Sequence, residues 1–245
     1  MARRLFFVPE IRRDVAELKG ELAQHLTRVL RVEKGQQYEI SDNEQLYLAE
    51  VDLARKDHVT FRVIQRLESR PEPFPMVLYA SLFKFDHFEW MIEKATELGV
   101  AAIQPVISER SEHGLEKAAP KRSERWRRIA MEASQQCRRM RMPEIRDLLD
   151  IEQALTAPSG LPLLLDELPG APPIMRHLTA QQPPGVSLLL GPEGGWTEQE
   201  RETILAAGWQ PVSLGPLVLR AETAAAAALA VVQAFSEAGG PGTRS

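Results

Sequence analysis

The apolar positions of this 245-residue chain follow two different patterns, and the change falls near residue 70. Before it, apolar and polar residues alternate in three stretches, a pattern typical of half-buried β-strands. The stretches are Gln36–Ile40, Gln45–Asp52 and His58–Leu67. The pairs His25-Leu26 and Val29-Leu30 recur at helical spacing and predict one short helix. Residues 1–70 are therefore predicted to form a small β-rich domain.

Three prolines, Pro71, Pro73 and Pro75, mark the boundary between the two patterns. Prolines at alternate positions make a stiff, extended connector, so residues 71–75 are predicted to be a linker. A second domain is expected over residues 76–238. Residues 239–245 begin Gly-Gly-Pro-Gly and are predicted to be a flexible tail.

Beyond the linker, apolar runs alternate with helical stretches. Strands are predicted at Met76–Leu82, Val100–Val106, Leu161–Leu165, Val186–Leu190 and Pro211–Leu214. Four helices are predicted. The first is capped by Asp86 with Glu89 and ends at Gly99, and the third is capped by Thr197 with Glu200 and ends at Gly208. The second is Lys121–Arg138, and the fourth is Glu222–Glu237. Near-continuous apolar strands are typical of a sheet covered on both faces. The alternation predicts an α/β fold with a parallel sheet.

Ligands of a parallel α/β sheet bind at the carboxyl ends of its strands, and three of these ends stand out. Leu165 runs into Asp166-Glu167, Leu190 into Gly191-Pro192-Glu193-Gly194-Gly195, and Leu214 into Gly215-Pro216. The pentapeptide lacks the Lys-Ser/Thr of a phosphate-binding loop, and Glu193 would repel phosphate. By itself it fits either a plain β–α turn or a loop for a polar cofactor that is not anionic.

A second segment, Leu214 to Ala224, changes this interpretation. It reads Leu-Gly-Pro-Leu-Val-Leu-Arg-Ala-Glu-Thr-Ala. Together the two segments resemble the signature of the SPOUT superfamily of methyltransferases, and more narrowly the family that makes 3-methyluridine in 16S ribosomal RNA. Further matches to that family are Arg4, Phe6-Phe7-Val8, His25, Val29-Leu30-Arg31, Lys94–Val100, Glu132–Arg139 and Pro143–Ile145. Pro216 and Cys137 depart mildly from its usual residues.

The resemblance implies a fold and a cofactor. The C-terminal part would be threaded through a loop to make a deep trefoil knot, a rare exception among folds, and residues 1–70 would form a PUA-like RNA-binding barrel. S-adenosylmethionine would lie bent in the knot, held largely by backbone groups. The residues implied at the cofactor are Leu165, Leu190, Gly191, Glu193, Gly195, Leu214, Gly215 and Leu219. Members of the family are homodimers, so two sites per dimer are expected.

The implied acceptor is N3 of a uridine in 16S ribosomal RNA or in the small ribosomal subunit. This nitrogen carries a proton that must be lost, so a base or a group that stabilises the uridinate would help. Glu193 as proton acceptor and Arg220 as electrostatic partner are the implied catalytic residues. Alternatively, Arg220 and Glu222 pair with each other and only hold the fold together. Since N3 lies on the Watson–Crick edge, the base must be unpaired or flipped.

Charge bears on the RNA partner. A net charge of −4 argues weakly against one, but residues 1–142 hold 25 of the 30 Lys and Arg residues against 22 acidic ones. The stretch Lys117–Arg141 can supply a local phosphate-binding field, and a solvated helix face explains it equally well. The arginines expected at RNA are Arg3, Arg4, Arg12, Arg31, Arg110, Arg125, Arg128 and Arg139.

The cysteine and histidine content and the hydropathy of the chain bear on its compartment, on membrane binding and on metal binding. Cys137 is the single cysteine, which excludes an intramolecular disulfide and fits a reducing compartment. No apolar run approaches the roughly 20 residues that span a bilayer, so we expect a cytoplasmic protein with no membrane partner. The five histidines lie scattered, which predicts no metal site. His25 and His87 are interpreted as structural.

Two other functions are compatible with parts of the chain. One is a SPOUT methyltransferase that modifies another atom, such as a ribose 2′-oxygen or a purine nitrogen. The other is a non-catalytic RNA-binding assembly factor. The family matches in residues 1–31 and 132–145 argue against the first. The intact glycines of both loops argue against the second, because a pocket without function has no need of them.

Overall fold

A computed structural model describes residues 4–156, 158–167, 170–181 and 183–239. The chain divides into two compact units. The first comprises Met1–Pro71 and Met131–Met142, and the second Glu72–Ala130 and Pro143–Ser245. The predicted boundaries at residues 70 and 76 stay a prediction. The grouping of Met131–Met142 with the N-terminal part is a feature that no sequence pattern indicated.

The described residues of the first unit contain a six-stranded sheet, one complete helix and the end of a longer helix that begins in the second unit. Its elements are β1 (Leu5–Phe7), β2 (Ile11–Arg12), β3 (Val15–Lys19), α1 (Gly20–Arg28), β4 (Gln37–Ser41), β5 (Leu46–Arg55) and β6 (His58–Arg66). The strand order is β1-β4-β5-β6-β3-β2, with β1 parallel to β4 and the other neighbours antiparallel. The predicted strands appear as β4, β5 and β6 with shifted ends. Strands β1 and β2 were missed because two or three residues are too few to show a period, and β3 was missed although its burial alternates.

Segment Met131–Met142 is held to this unit by apolar packing and by hydrogen bonds. Met140 is buried with Leu5, Phe7 and Leu46. The Ser41 hydroxyl donates to the Met140 carbonyl at 2.7 Å. Because Ser41 is fully buried, this hydrogen bond satisfies a group that would otherwise be costly to bury.

The second unit contains a parallel sheet of seven strands. The strands are β7 (Met76–Ser81), β8 (Ala102–Ile107), β9 (Glu144–Ile145), β10 (Leu149–Asp150), β11 (Leu161–Leu165), β12 (Val186–Leu190) and β13 (Gln210–Val212). Their order is β10-β8-β7-β12-β11-β13, and β9 pairs with β8. Every pairing is parallel, which confirms the predicted α/β class.

Helices cover this sheet, and side chains alternate between its two faces. The helices are α2 (Phe85–Glu97), α3 (Leu115–Cys137), α4 (Ile151–Ala154), α5 (Ile174–Gln181), α6 (Glu198–Ala206) and α7 (Ala221–Glu237). Leu78 packs in one cluster with Phe88 of α2 and Leu229 of α7. Tyr79, the next residue of β7, packs in another cluster with Trp209 and Ile204 of α6. Two buried faces explain the near-continuous apolar strands.

The predicted helices need three corrections. Asp86 and Glu89 do not form a capping box, because α2 begins at Phe85 after Lys84, which makes no side-chain cap. Helix α3 begins at Leu115 rather than at residue 121 and contains Pro120. Helix α5, Ile174–Gln181, was missed. The Thr197 and Glu200 capping box of α6 is confirmed.

The proline-rich segment packs against the second unit. Phe74 is buried in its core, and the Pro75 carbonyl accepts a hydrogen bond from Val186 N at 2.9 Å. Among the helices of the described ranges, none is long and apolar enough to cross a membrane.

Candidate cofactor and active site

One cavity of about 680 Å³ lies where β11, β12 and β13 end. The ends of these strands and the loops that follow them supply most of its wall, and the starts of α2 and α7 supply the rest. Parallel neighbours end at the same edge of a sheet, so loops far apart in sequence meet there. The nine residues that the sequence assigned to cofactor and catalysis all line this cavity: Leu165, Leu190, Gly191, Glu193, Gly195, Leu214, Gly215, Leu219 and Arg220.

The loop Gly191–Gly195 is held tightly against its surroundings. A Cβ atom on Gly191 would lie 2.9 Å from Nε1 of the buried Trp196, so only glycine fits there. Gly195 has φ of +67°, and its amide donates to the Pro192 carbonyl at 2.9 Å. The backbone here adopts a left-handed conformation that glycine permits without strain. The loop therefore brings main chain, rather than side chains, to the cavity.

Arg110 supports this loop from outside the cavity. Its Nη1 donates to the Gly194 carbonyl at 3.1 Å and to the Trp196 carbonyl at 3.3 Å. The position of Arg110 along the chain did not indicate these contacts within the second unit. A role in RNA binding stays a prediction for this residue.

Glu200 connects the start of α6 to the loop after β8. It is only 8% exposed, and its carboxylate accepts from Glu109 N at 2.7 Å and from Thr197 N at 2.9 Å. Carboxylates are favourable at the N-terminus of a helix because the helix dipole is positive there. The capping box thus also holds the loop after β8 to the start of α6.

The segment Leu214–Ala224 forms the opposite wall. Leu217 and Val218 are 78% and 79% exposed, so this wall presents apolar side chains to solvent. Arg220 is exposed and immediately precedes α7. Within the described ranges, Arg220 and Glu222 form no ion pair, so the alternative in which they pair with each other finds no support.

Glu222 faces a histidine instead. His87 Nδ1 lies 3.5 Å from Glu222 Oε1 and 3.7 Å from Glu193 Oε1. Both His87 and Lys84 line the cavity, although neither was predicted at the site. They follow the carboxyl end of β7, so the strand-end rule that indicated the other loops could have indicated them.

Two acidic residues after β11 complete the charged part of the wall. Asp166 is almost fully buried and forms an ion pair with Arg201. Glu167 is half-exposed, and its Oε1 lies near the position that a Cβ on Gly195 would take. Across the described part of the chain, no group of three or more His, Cys, Asp or Glu residues is placed to hold a metal ion.

The arginines predicted at RNA are distributed over both units. Arg4, Arg12, Arg31 and Arg139 belong to the first unit, and Arg110, Arg125 and Arg128 to the second. Arg3 lies outside the described residues. Arg12 pairs with Glu10 at 2.8 Å, and Arg125 donates to Glu89 at 2.8 Å. Their expected contacts with RNA stay predictions.

Comparison with known proteins shows the family to which this chain belongs. Residues 70–233 match the family of the RNA methyltransferase domain. Since this match covers more than half of the chain and includes every wall of the cavity, the chain belongs to this family of RNA methyltransferases.

Individual relatives narrow the family. The chain is 36% identical to ribosomal RNA small subunit methyltransferase E of a Synechocystis species, over 97% of this chain and 79% of the relative. It is 33% identical to the protein of the same name from Bacillus subtilis, over 90% of each chain. The crystal structure of ribosomal RNA small subunit methyltransferase E from Neisseria gonorrhoeae bound to S-adenosylmethionine is 31% identical, with a TM-score of 0.86 over 95% of this chain and 98% of that one. The chain therefore belongs with the ribosomal RNA small subunit methyltransferase E proteins.

Proposed function

We propose that this protein transfers the methyl group of S-adenosylmethionine to N3 of a uridine in 16S ribosomal RNA. The observation that carries the proposal is the single cavity walled by all nine residues that the sequence assigned to cofactor and catalysis. The similarity to a relative bound to S-adenosylmethionine supports the same choice of cofactor. The family name supports small-subunit ribosomal RNA as the substrate.

The residues around the cavity fit S-adenosylmethionine. Glycines at 191 and 195 expose backbone groups, and the carboxylates of Glu167 and Glu193 suit a cofactor that carries positive charge. Leu165, Leu190 and Leu219 supply apolar walls. When bound, the cofactor supplies an electrophilic methyl group on a sulfonium sulfur. We propose that the loops after β11, β12 and β13 hold it mainly through the main chain.

Residues of this chain would assist the reaction at the acceptor base. The N3 proton of uridine must leave during the transfer, and Glu193 at the cavity wall is our candidate to accept it. Arg220 is exposed beside the cavity, where its charge can stabilise the oxygens of a uridinate. A paired uridine hides N3, so the target base is expected to be unpaired or flipped into the cavity.

Several finer features belong to the same proposal. We infer a trefoil knot in the C-terminal part, a PUA-like RNA-binding barrel in residues 1–70, a homodimer with two sites, and a cytoplasmic location. The exposed Leu217 and Val218 support the homodimer, because a neighbouring subunit would cover apolar side chains beside the cavity. The RNA is proposed to contact the eight predicted arginines mainly through its phosphates.

One assay tests the proposed function. The protein is incubated with cofactor labelled in the methyl group and with either small-subunit particles or free RNA, and the modified nucleoside is mapped. Label on uridine N3 is the expected result. Label on a ribose oxygen or on a purine would refute the proposed acceptor, and the absence of label from both substrates would refute the methyltransferase.

A further inference from the structure

His87 lies among three carboxylates in the wall of the proposed cofactor cavity, so any role assigned to it rests on the proposed function. Its Nδ1 is 3.5 Å from Glu222 Oε1 and 3.7 Å from Glu193 Oε1, and its Nε2 is 3.8 Å from Asp86 Oδ2. Lys84 and Arg220 are the basic side chains that line the same cavity. The described residues form no ion pair with either of them, so His87 is the group that faces the acids at ion-pair distance.

The arrangement suits an imidazolium better than a neutral imidazole. A neutral imidazole donates from one nitrogen, whereas an imidazolium donates from both. Both nitrogens of His87 face carboxylate oxygens. His87 Nδ1 and Glu222 Oε2 are also buried without a hydrogen-bond partner. A small rotation of either side chain would turn the 3.5 Å contact into a charge-assisted hydrogen bond, which is stronger than a neutral one.

The three residues belong to three separate elements, and His87 and Glu193 line the cavity. His87 lies on α2, Glu193 in the loop after β12, and Glu222 in the first turn of α7. We propose that His87 is a positioning residue that, as an imidazolium, joins the Glu193 loop to the start of α7 and so shapes the cavity for the cofactor. Without the cation, two carboxylates would face each other across the same space and push these elements apart.

The consequence is a cofactor affinity that follows the protonation of His87. Because lowering the pH favours the imidazolium form of a histidine, the affinity is compared at pH 6 and at pH 8. We expect S-adenosylhomocysteine, measured by calorimetry, to bind about fivefold more tightly at the lower pH. Binding near neutral pH must then take up protons, which the dependence of the measured heat on the ionisation heat of the buffer reveals.

Two substitutions at one position separate charge from shape. His87→Lys keeps a cation at every pH tested, so its affinity is expected to stay near the low-pH value of the unaltered protein. His87→Gln keeps polarity without charge and is expected to stay near the high-pH value. His113→Lys, an exposed residue away from the cavity, serves as the matched control and should leave the pH dependence unchanged.

The ligand pair separates positioning from simple charge repulsion. S-adenosylmethionine carries a sulfonium charge that S-adenosylhomocysteine lacks, so repulsion by an imidazolium would weaken only the former at low pH. Positioning instead predicts that both ligands bind more tightly at the lower pH. Equal affinities at both pH values, a pH dependence that persists in His87→Gln, or equal behaviour of the Lys and Gln variants would each overturn the positioning role while leaving the proposed function intact. If the unaltered protein bound neither ligand at either pH, the proposed function would fail and the positioning role with it.

Discussion

A single methyl group added at Gly191 tests how the glycine loop is held. In the Gly191→Ala variant the new Cβ would lie 2.9 Å from Nε1, 3.1 Å from Cε2 and 3.4 Å from Cδ1 of Trp196. All three atoms belong to the rigid five-membered ring of an indole that is only 4% exposed. Trp196 packs with Tyr79, Leu189 and Trp209, so it cannot move aside without disturbing that cluster.

The size of the effect is set by overpacking. Forcing an extra methyl group into a packed interior costs about 1–3 kcal/mol. The smaller entropy of unfolded alanine returns about 0.4–1 kcal/mol. We therefore expect a net loss of about 1–2 kcal/mol in the free energy of unfolding, which lowers the melting temperature of the second unit by about 2–8 °C. Because the loop moves relative to the rest of the wall, affinity for S-adenosylmethionine should fall about tenfold or more.

Thermal unfolding and calorimetry measure these two effects, and a double-mutant cycle tests their cause. Trp196→Leu removes the indole ring that the methyl group meets. In the double variant the combined destabilisation should be about 1 kcal/mol smaller than the sum of the single effects. Gly35→Ala is the control for general destabilisation: the φ of Gly35 is +88°, so a side chain there strains the backbone, although its Cβ meets nothing within 4 Å and Gly35 lies in the first unit.

Additive effects of Gly191→Ala and Trp196→Leu would refute the steric explanation. Unchanged cofactor affinity in a folded Gly191→Ala variant would show instead that the loop is not part of the binding wall. A loss of cofactor affinity in Gly35→Ala would show that the assay reports general instability.

Three other variants probe the site and its surroundings. Arg110→Ala removes two hydrogen bonds to the carbonyls of Gly194 and Trp196. It should lower the free energy of unfolding of the second unit by about 1–3 kcal/mol in denaturant titrations and weaken cofactor binding. A variant as stable as the unaltered protein would contradict this expectation. Burial disfavours the charged form of Glu89, but hydrogen bonds from Arg125 and Arg122 outweigh burial and hold the pKa of Glu89 below its ordinary value. The stability that this carboxylate contributes is therefore present above its unfolded pKa and is lost as the pH falls through the lowered pKa, so Glu89→Gln should flatten the acid limb of a stability profile measured by unfolding at stepped pH. Arg220→Ala should lower methyl transfer while cofactor binding survives in calorimetry, and loss of binding would favour a structural role for Arg220.

The parts of the fold that could be predicted are those with strong local signals. Leu161–Leu165 and Val186–Leu190 were predicted with their observed bounds, because a strand buried on both faces is a continuous apolar run that turn residues delimit. The capping box of α6 was predicted for a similar reason, since Thr197 and Glu200 act within one helical turn. The position of the cavity agrees with the rule that loops meet where parallel strands end.

The contacts that the sequence did not indicate depend on partners distant along the chain. Glu89 was predicted to cap a helix. Its carboxylate instead accepts hydrogen bonds from Arg122 and Arg125, which lie more than 30 residues away. Arg110 donates to the carbonyls of Gly194 and Trp196, which nothing in the sequence indicated, and its contact with RNA stays a prediction. His87 was interpreted as structural, because nothing local indicated two carboxylates beside it.

The sequence by itself determined the class of the fold, the strands that lead into the cavity, and the two segments that identify the family. These depend on periodicity and on the conformational demands of glycine, both of which act over a few residues. Only the tertiary structure decided which charges face one another, which arginine supports the loop, and that Met131–Met142 packs with the first unit. Such choices depend on the packing of elements far apart in the chain, where ion pairs and close contacts form only after the backbone has brought their partners within a few ångströms.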